Sequence, residues 1–148
     1  MLDRAGLREI TRGGHEVTKV VERFPDKFSS GFSSVTSVDM GRSLLVFVSG
    51  HVGMPVEGPP RVVATTFEEE ARLCYENISQ SLAKVGGSLK DLVRITAFLT
   101  NADDYPVYAS VRQNLFQGAP PASSSVIVAG LLANARLEVD GVAVVAKR

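Results

Sequence analysis

The chain has 148 residues, 45% of them apolar and 22% charged, which fits one globular domain with its own core. Lys plus Arg and Asp plus Glu stand at 16 each, so the formal net charge is zero; no run of Lys and Arg supplies a nucleic-acid footprint. The single cysteine, Cys74, excludes an internal disulfide framework and a cysteine-based metal cluster, and it points to a reducing, cytoplasmic setting.

Met1–Ile10 carries Asp3, Arg4, Arg8 and Glu9 with no apolar stretch, unlike a secretory signal. No window approaches the roughly 18 apolar residues of a membrane span. Residues 1–30 read as a polar N-terminal extension and first strand, the strand falling within Val17–Phe24. Phe28–Ser34, Ser-rich around Gly31, reads as a loop, Val35–Met40 as a weak strand and Gly41–Arg42 as a turn. Leu44–Val48 is a short continuous apolar run, the pattern of a strand covered on both faces. It stops at Ser49–Gly50. From His51 to Arg61, Gly53, Pro55, Gly58, Pro59 and Pro60 predict a loop.

A helix follows. Thr66 and Glu69 have capping-box spacing, and Phe67, Ala71, Cys74, Ile78, Leu82 and Val85 fall on one face. Gly86–Gly87 ends it. Leu92–Leu99 is a strand. Asp103 or Asp104 caps a second helix with Tyr108, Val111 and Leu115 along its buried stripe, ended by Gly118, Pro120 and Pro121. Ala122–Ala129 is a strand, Gly130–Ala135 a turn and Arg136–Ala146 a last long strand. The order predicts an α/β (α+β) domain, one mixed sheet with two helices packed on one face.

The last strand divides by the two-residue period. Leu137, Val139, Ala143 and Val145 take one side. Glu138, Asp140, Val142 and Val144 take the other, which starts polar and becomes apolar. With both helices on one face, the apolar part of the other needs a partner, and a homo-oligomer with a cleft at the subunit boundary is expected.

Several segments share order and spacing with one family. They are Ser49-Gly50, Glu76-Asn77-Ile78, Gly86-Gly87-Ser88-Leu89-Lys90-Asp91-Leu92-Val93 and Thr96-Ala97-Phe98-Leu99-Thr100. Asp104-Tyr105, Phe116, Pro121-Ala122 and Leu137-Glu138-Val139 complete the set. From Phe67 to Ala146 the chain resembles the YjgF family, also called the reactive-intermediate deaminase or RidA family, with the older label endoribonuclease L-PSP. The resemblance implies a chorismate-mutase-like fold and a homotrimer with three clefts between subunits. It also implies hydrolysis of enamines and imines made by pyridoxal-phosphate enzymes, with release of ammonia and a keto acid. Neither a metal nor a bound cofactor is implied.

In that family an arginine directly after the Pro-Ala pair grips the substrate carboxylate, and a glutamate on the last strand helps hold the attacking water. The glutamate is Glu138, but the arginine position is Ser123. A serine hydroxyl cannot imitate the two parallel charge-assisted bonds of a guanidinium. The family's usual cysteine is Ser125, a frequent asparagine is Ala109, and Thr36 or Phe32 stands for a tyrosine loop. The resulting candidate site has Glu138 and His51 as catalytic groups and Ser123, Ser125, Gly50, Thr36 and Phe98 as substrate-binding positions. Each competes with a plainer reading. Glu138 could be a solvated carboxylate or a partner of Arg136, and His51 an exposed loop histidine. If His51 lies near the cleft, it could supply the missing charge or proton. Arg42, Arg61 and Arg136 are the other cations considered for the lost clamp.

Ser123, Ser124 and Ser125 lack an adjacent base and a Gly-x-Ser-x-Gly elbow, so they read as hydroxyls lining a polar pocket. Two histidines without ligand spacing predict no metal site. Cys74, on the apolar stripe, reads as core. The expectation is a small-molecule deaminase whose substrate is not a simple 2-imino acid. The alternatives are a non-catalytic ligand-binding or regulatory protein on the same fold and, against the neutral charge, RNA cleavage.

Overall fold

A computed structural model of the chain describes residues 20–147. The elements run β1 (Val21–Pro25), β2 (Ser33–Asp39), β3 (Ser43–Val52), α1 (Phe67–Ala83), β4 (Leu92–Leu99), α2 (Tyr105–Leu115), β5 (Ala122–Ile127) and β6 (Leu137–Ala146). The six strands form one sheet in the order β1-β2-β3-β6-β4-β5. Only the β4–β5 pair is parallel; the others are antiparallel. The last strand thus enters the middle of the sheet and joins the two halves. The expected fold, one mixed sheet with two helices, is the one observed, and it is chorismate-mutase-like. Among the described residues no helix is long and apolar enough to cross a membrane.

The helices bury one sheet face. Ala71, Cys74, Ile78 and Leu82 of α1 join Val46 and Val48 of β3, Ile95, Ala97 and Leu99 of β4, and Leu137, Val139, Ala143 and Val145 of β6. Thr66 caps α1 by accepting the Glu69 N–H at 3.2 Å, while Glu69 reaches back one residue further than a capping box requires, to the Thr65 N–H at 3.0 Å. Gly86, at φ +74°, makes the left-handed turn after the helix.

The second helix is capped differently from expectation. Asp104 occupies the N-cap but makes no side-chain cap, because its carboxylate pairs with Arg136. Asn101 instead accepts the Asp103 N–H in the preceding 3-10 turn. Tyr108 and Val111 are buried as predicted, but Leu115 is 38% exposed. Phe116 takes its place: its backbone leaves the helix at φ −111°, ψ 37°, and its ring meets Tyr75 edge-on at 5.6 Å.

Other boundaries also moved. Ser33 and Ser34, expected in a loop, open β2, and Val17–Lys19 lie outside the described residues. The Leu44–Val48 run is covered on one face only, with Phe47 48% exposed on the other beside Val144 at 44%. The strand continues through Val52 because His51 and Val52 still pair with Val139 and Glu138, past a bulge at Ser49–Gly50.

Candidate active site

Glu138 stands on the open face of β6, the face the helices do not cover. Its cross-strand partners are Val52 on β3 and Phe98 on β4. Gly50 makes the seat: a Cβ there would stand 1.9 Å from Glu138 Oε1 and 2.8 Å from its Cδ. The carboxylate is half-buried and, among the described residues, has no ion-pair or hydrogen-bond partner. Burial first, and the neighbouring Asp140 second, raise its pKa above the ordinary 4.5. Glu138, Gly50 and Phe98 are thereby brought together. Arg136, the plainer partner for Glu138, is bound to Asp104 and lies over the Phe67 ring at 5.0 Å.

Ser123 and Ser125 take the opposite face. On β5 they pair with Ile95 and Ala97, whose side chains point into the helix layer, and both border α2. Arg112 of α2 donates from Nη1 to Ser123 Oγ at 3.0 Å, and its guanidinium lies 5.2 Å from the Tyr108 ring centroid. Ser123, Ser125, Arg112, Tyr105 and Ile127 line an open concavity of about 550 Å³. On the other face of β5, Arg94 donates to Ser124 Oγ at 3.0 Å. Thr36 shares the open face with Glu138, but its row runs through Phe47 to Val142, further along β6, so within one protomer it does not join Glu138.

His51 corrects the expected site. Two-residue alternation from the buried Val48 would turn His51 toward Glu138, but the bulge inserts an extra residue and returns it to the helix face opposite Val139. There Nδ1–H donates to the Ser49 carbonyl at 2.7 Å and Nε2 accepts from Ser81 Oγ–H at 2.7 Å, the tautomer those partners require. Burial lowers the imidazole pKa more than the Ser49 carbonyl raises it. His51, Ser81, Lys84, Gln80, Phe28 and Phe32 border a hollow of about 230 Å³ that excludes both Glu138 and Ser123. Of the other cations considered, Arg42 is exposed beside the start of β3, at the far end of β6 from Glu138, and Arg61 is exposed in the loop after β3.

Sequence reasoning missed Arg112. One signal was present: Tyr105, Tyr108 and Arg112 repeat at steps of three and four, which puts the cation on the stripe that faces β5. Within this chain, then, Glu138 and the Arg112–Ser123 pair stand on opposite faces of the mixed sheet.

The class follows from this sheet-and-two-helix architecture together with the sequence match. The chain belongs to the Endoribonuclease L-PSP family, which matches residues 28–145. It is 32% identical over 100 residues to 2-iminobutanoate/2-iminopropanoate deaminase of Dermatophagoides farinae, covering 68% of this chain and 77% of that one. The protein of the same name from Rattus norvegicus is 30% identical over 100 residues, covering 67% and 72%. The crystal structure of yeast Mmf1 superposes with a TM-score of 0.72 at 28% identity, covering 80% of this chain and 90% of that one. These names place the chain in a family with reactive-intermediate deaminases.

Proposed function

We propose that the chain is a cofactor-independent deaminase that hydrolyses a reactive enamine or imine and releases ammonia. The observation that carries this is the half-buried, unpaired Glu138 carboxylate seated against Gly50 with Phe98 beside it. A carboxylate there takes a proton from water as the water oxygen bonds to the C=N carbon. That proton passes to nitrogen to give a carbinolamine. The carboxylate then takes the proton of the new hydroxyl and hands it to the amino nitrogen as the C–N bond breaks, so the carbonyl forms and ammonia leaves. An enamine first takes a proton at carbon and then follows the same course.

The cleft is completed by a second copy of the chain. The acid half and the Ser123 half face opposite sides of one sheet, so they can meet only between protomers. The exposed Phe47 and Val144 on the open face supply apolar area for that contact, in keeping with a homotrimer. Serine at position 123 supports a substrate other than a simple 2-imino acid. The buried, reduced Cys74 fits the cytoplasm.

The test is ammonia release from imines generated in situ, compared between the wild type and Glu138→Gln. Loss of turnover in the variant supports the reading; full turnover in the variant removes Glu138 from the mechanism, and no ammonia release by the wild type sinks the deaminase reading. A second reading, a non-catalytic ligand-binding or regulatory protein, is favoured by serines at 123 and 125 and alanine at 109. It predicts binding of small molecules without ammonia release across the whole panel.

A further inference from the structure

We infer that Arg112, delivered by α2 rather than by β5, is the anion-gripping residue of this site, and that the substrate therefore carries a carboxylate. The inference rests on the deaminase reading for its substrate class and on the geometry around Ser123 for its residue.

A guanidinium has five N–H donors. One is committed to Ser123 Oγ, and the Tyr108 ring beneath holds the plane of the group. Among the described residues the ion pairs are Arg72–Glu68, Arg136–Asp104 and Lys147–Asp39, so Arg112 has no carboxylate partner there. Partial burial works against its charge, and the Tyr105 and Tyr108 hydroxyls more than offset that. A charged, oriented and unpaired guanidinium at the rim of a concavity is the arrangement that receives a planar anion.

The neighbours fit the same task. Ser123 and Ser125 offer hydroxyls along the strand, and Tyr105 and Ile127 supply the walls. A second hollow of about 520 Å³ on the far side of Arg112 is bordered by Ala109, Phe116 and Pro120, so the side chain stands between two open spaces with room to adjust to a ligand. Arg94 is the competing cation, but it sits against Ser124 on the other face of β5. Serine at position 123 is then an accommodation. An arginine there would bring a second guanidinium against Arg112, and like charges at contact distance repel.

The experiment titrates 4-phenyl-2-oxobutanoate, a keto acid larger than the products of simple 2-imino acids, into wild type, Arg112→Ala, Arg112→Lys and Glu138→Gln by calorimetry, with 4-phenyl-2-butanone as the uncharged control. The expected result is at least a tenfold weaker Kd for the keto acid in Arg112→Ala, partial retention in Arg112→Lys, and no change for the ketone. Turnover in Arg112→Ala should suffer in KM more than in kcat, at an unchanged melting temperature. Equal binding by Arg112→Ala and wild type, or no binding by wild type, overturns the inference. Ammonia release separates the two readings: a wild type that releases none across the imine panel removes the deaminase reading, whatever Arg112→Ala does to the keto-acid Kd, while full release by Glu138→Gln removes only Glu138 from the mechanism.

Discussion

Gly50 and Glu138 are complementary: the place a Cβ would occupy on Gly50 is the place Oε1 of Glu138 occupies, 1.9 Å from it. The atom displaced by a larger residue would be the end of a flexible side chain, so the fold can absorb the change and the carboxylate cannot. Gly50→Ala should lower deaminase kcat/KM at least tenfold, about 1.4 kcal/mol of lost transition-state stabilisation, with the melting temperature nearly unchanged. Paired activity assays and thermal melts check it.

The pH profile follows from the same carboxylate. Burial, with Asp140 second, holds its pKa above 4.5, so the acid limb of kcat/KM should lie above the ordinary glutamate range. Activity falls as pH drops through that raised value, because the group must be ionised to take a proton from water. Asp140→Asn removes the like charge and should move the limb to lower pH. A pH–rate series on both proteins decides the matter; an unmoved limb would assign it to another group.

The buried imidazole makes a separate prediction about stability. His51 has its pKa depressed, mainly by burial, so the unfolded chain binds its proton more tightly. Its stabilising contribution is therefore whole above pH 6.5 and is lost as pH falls through the folded value. Around the ring, Asp26 favours the charged form and Lys84 opposes it. Urea unfolding at pH 7.5 and at 5.5 should show a smaller pH difference in His51→Gln than in the wild type. Ser81→Ala, which strips the hydroxyl from Nε2, should cost about 1–3 kcal/mol at neutral pH.

Cys74 is fully buried and donates its S–H to the His51 carbonyl at 3.0 Å, and burial pushes its thiol pKa far up. A thiol reagent at pH 8 should leave the native protein unlabelled and react promptly in denaturant. Fast native labelling would contradict the packing of α1 on β3.

The sequence carried the local elements well. Leu92–Leu99 was placed to the residue because its buried positions, Ile95, Ala97 and Leu99, alternate cleanly. The division of β6 into two faces was equally legible, since each inward residue meets the helix layer. Non-local choices were not. Nothing in the β6 residues announces that the last strand inserts between β3 and β4. The face of His51 depended on the bulge at Ser49–Gly50, and a single extra residue inverts every side chain beyond it. Arg112 was not among the cations weighed for the lost clamp, Arg42, Arg61 and Arg136, because only the packing of α2 against β5 brings it to Ser123.

If the cleft forms between copies as proposed, the separation of the Glu138 half from the Arg112 half by the thickness of the sheet has a genetic consequence. A chain crippled at Glu138 still offers an intact Arg112 half, and a chain crippled at Arg112 still offers an intact acid half. Co-expressed, the two dead alleles should complement. If copies mix at random in a closed ring, about one quarter of the clefts receive both good halves. Activity would then reside in the assembly and in neither polypeptide, and a dilute population would lose its rate per chain before any chain had unfolded.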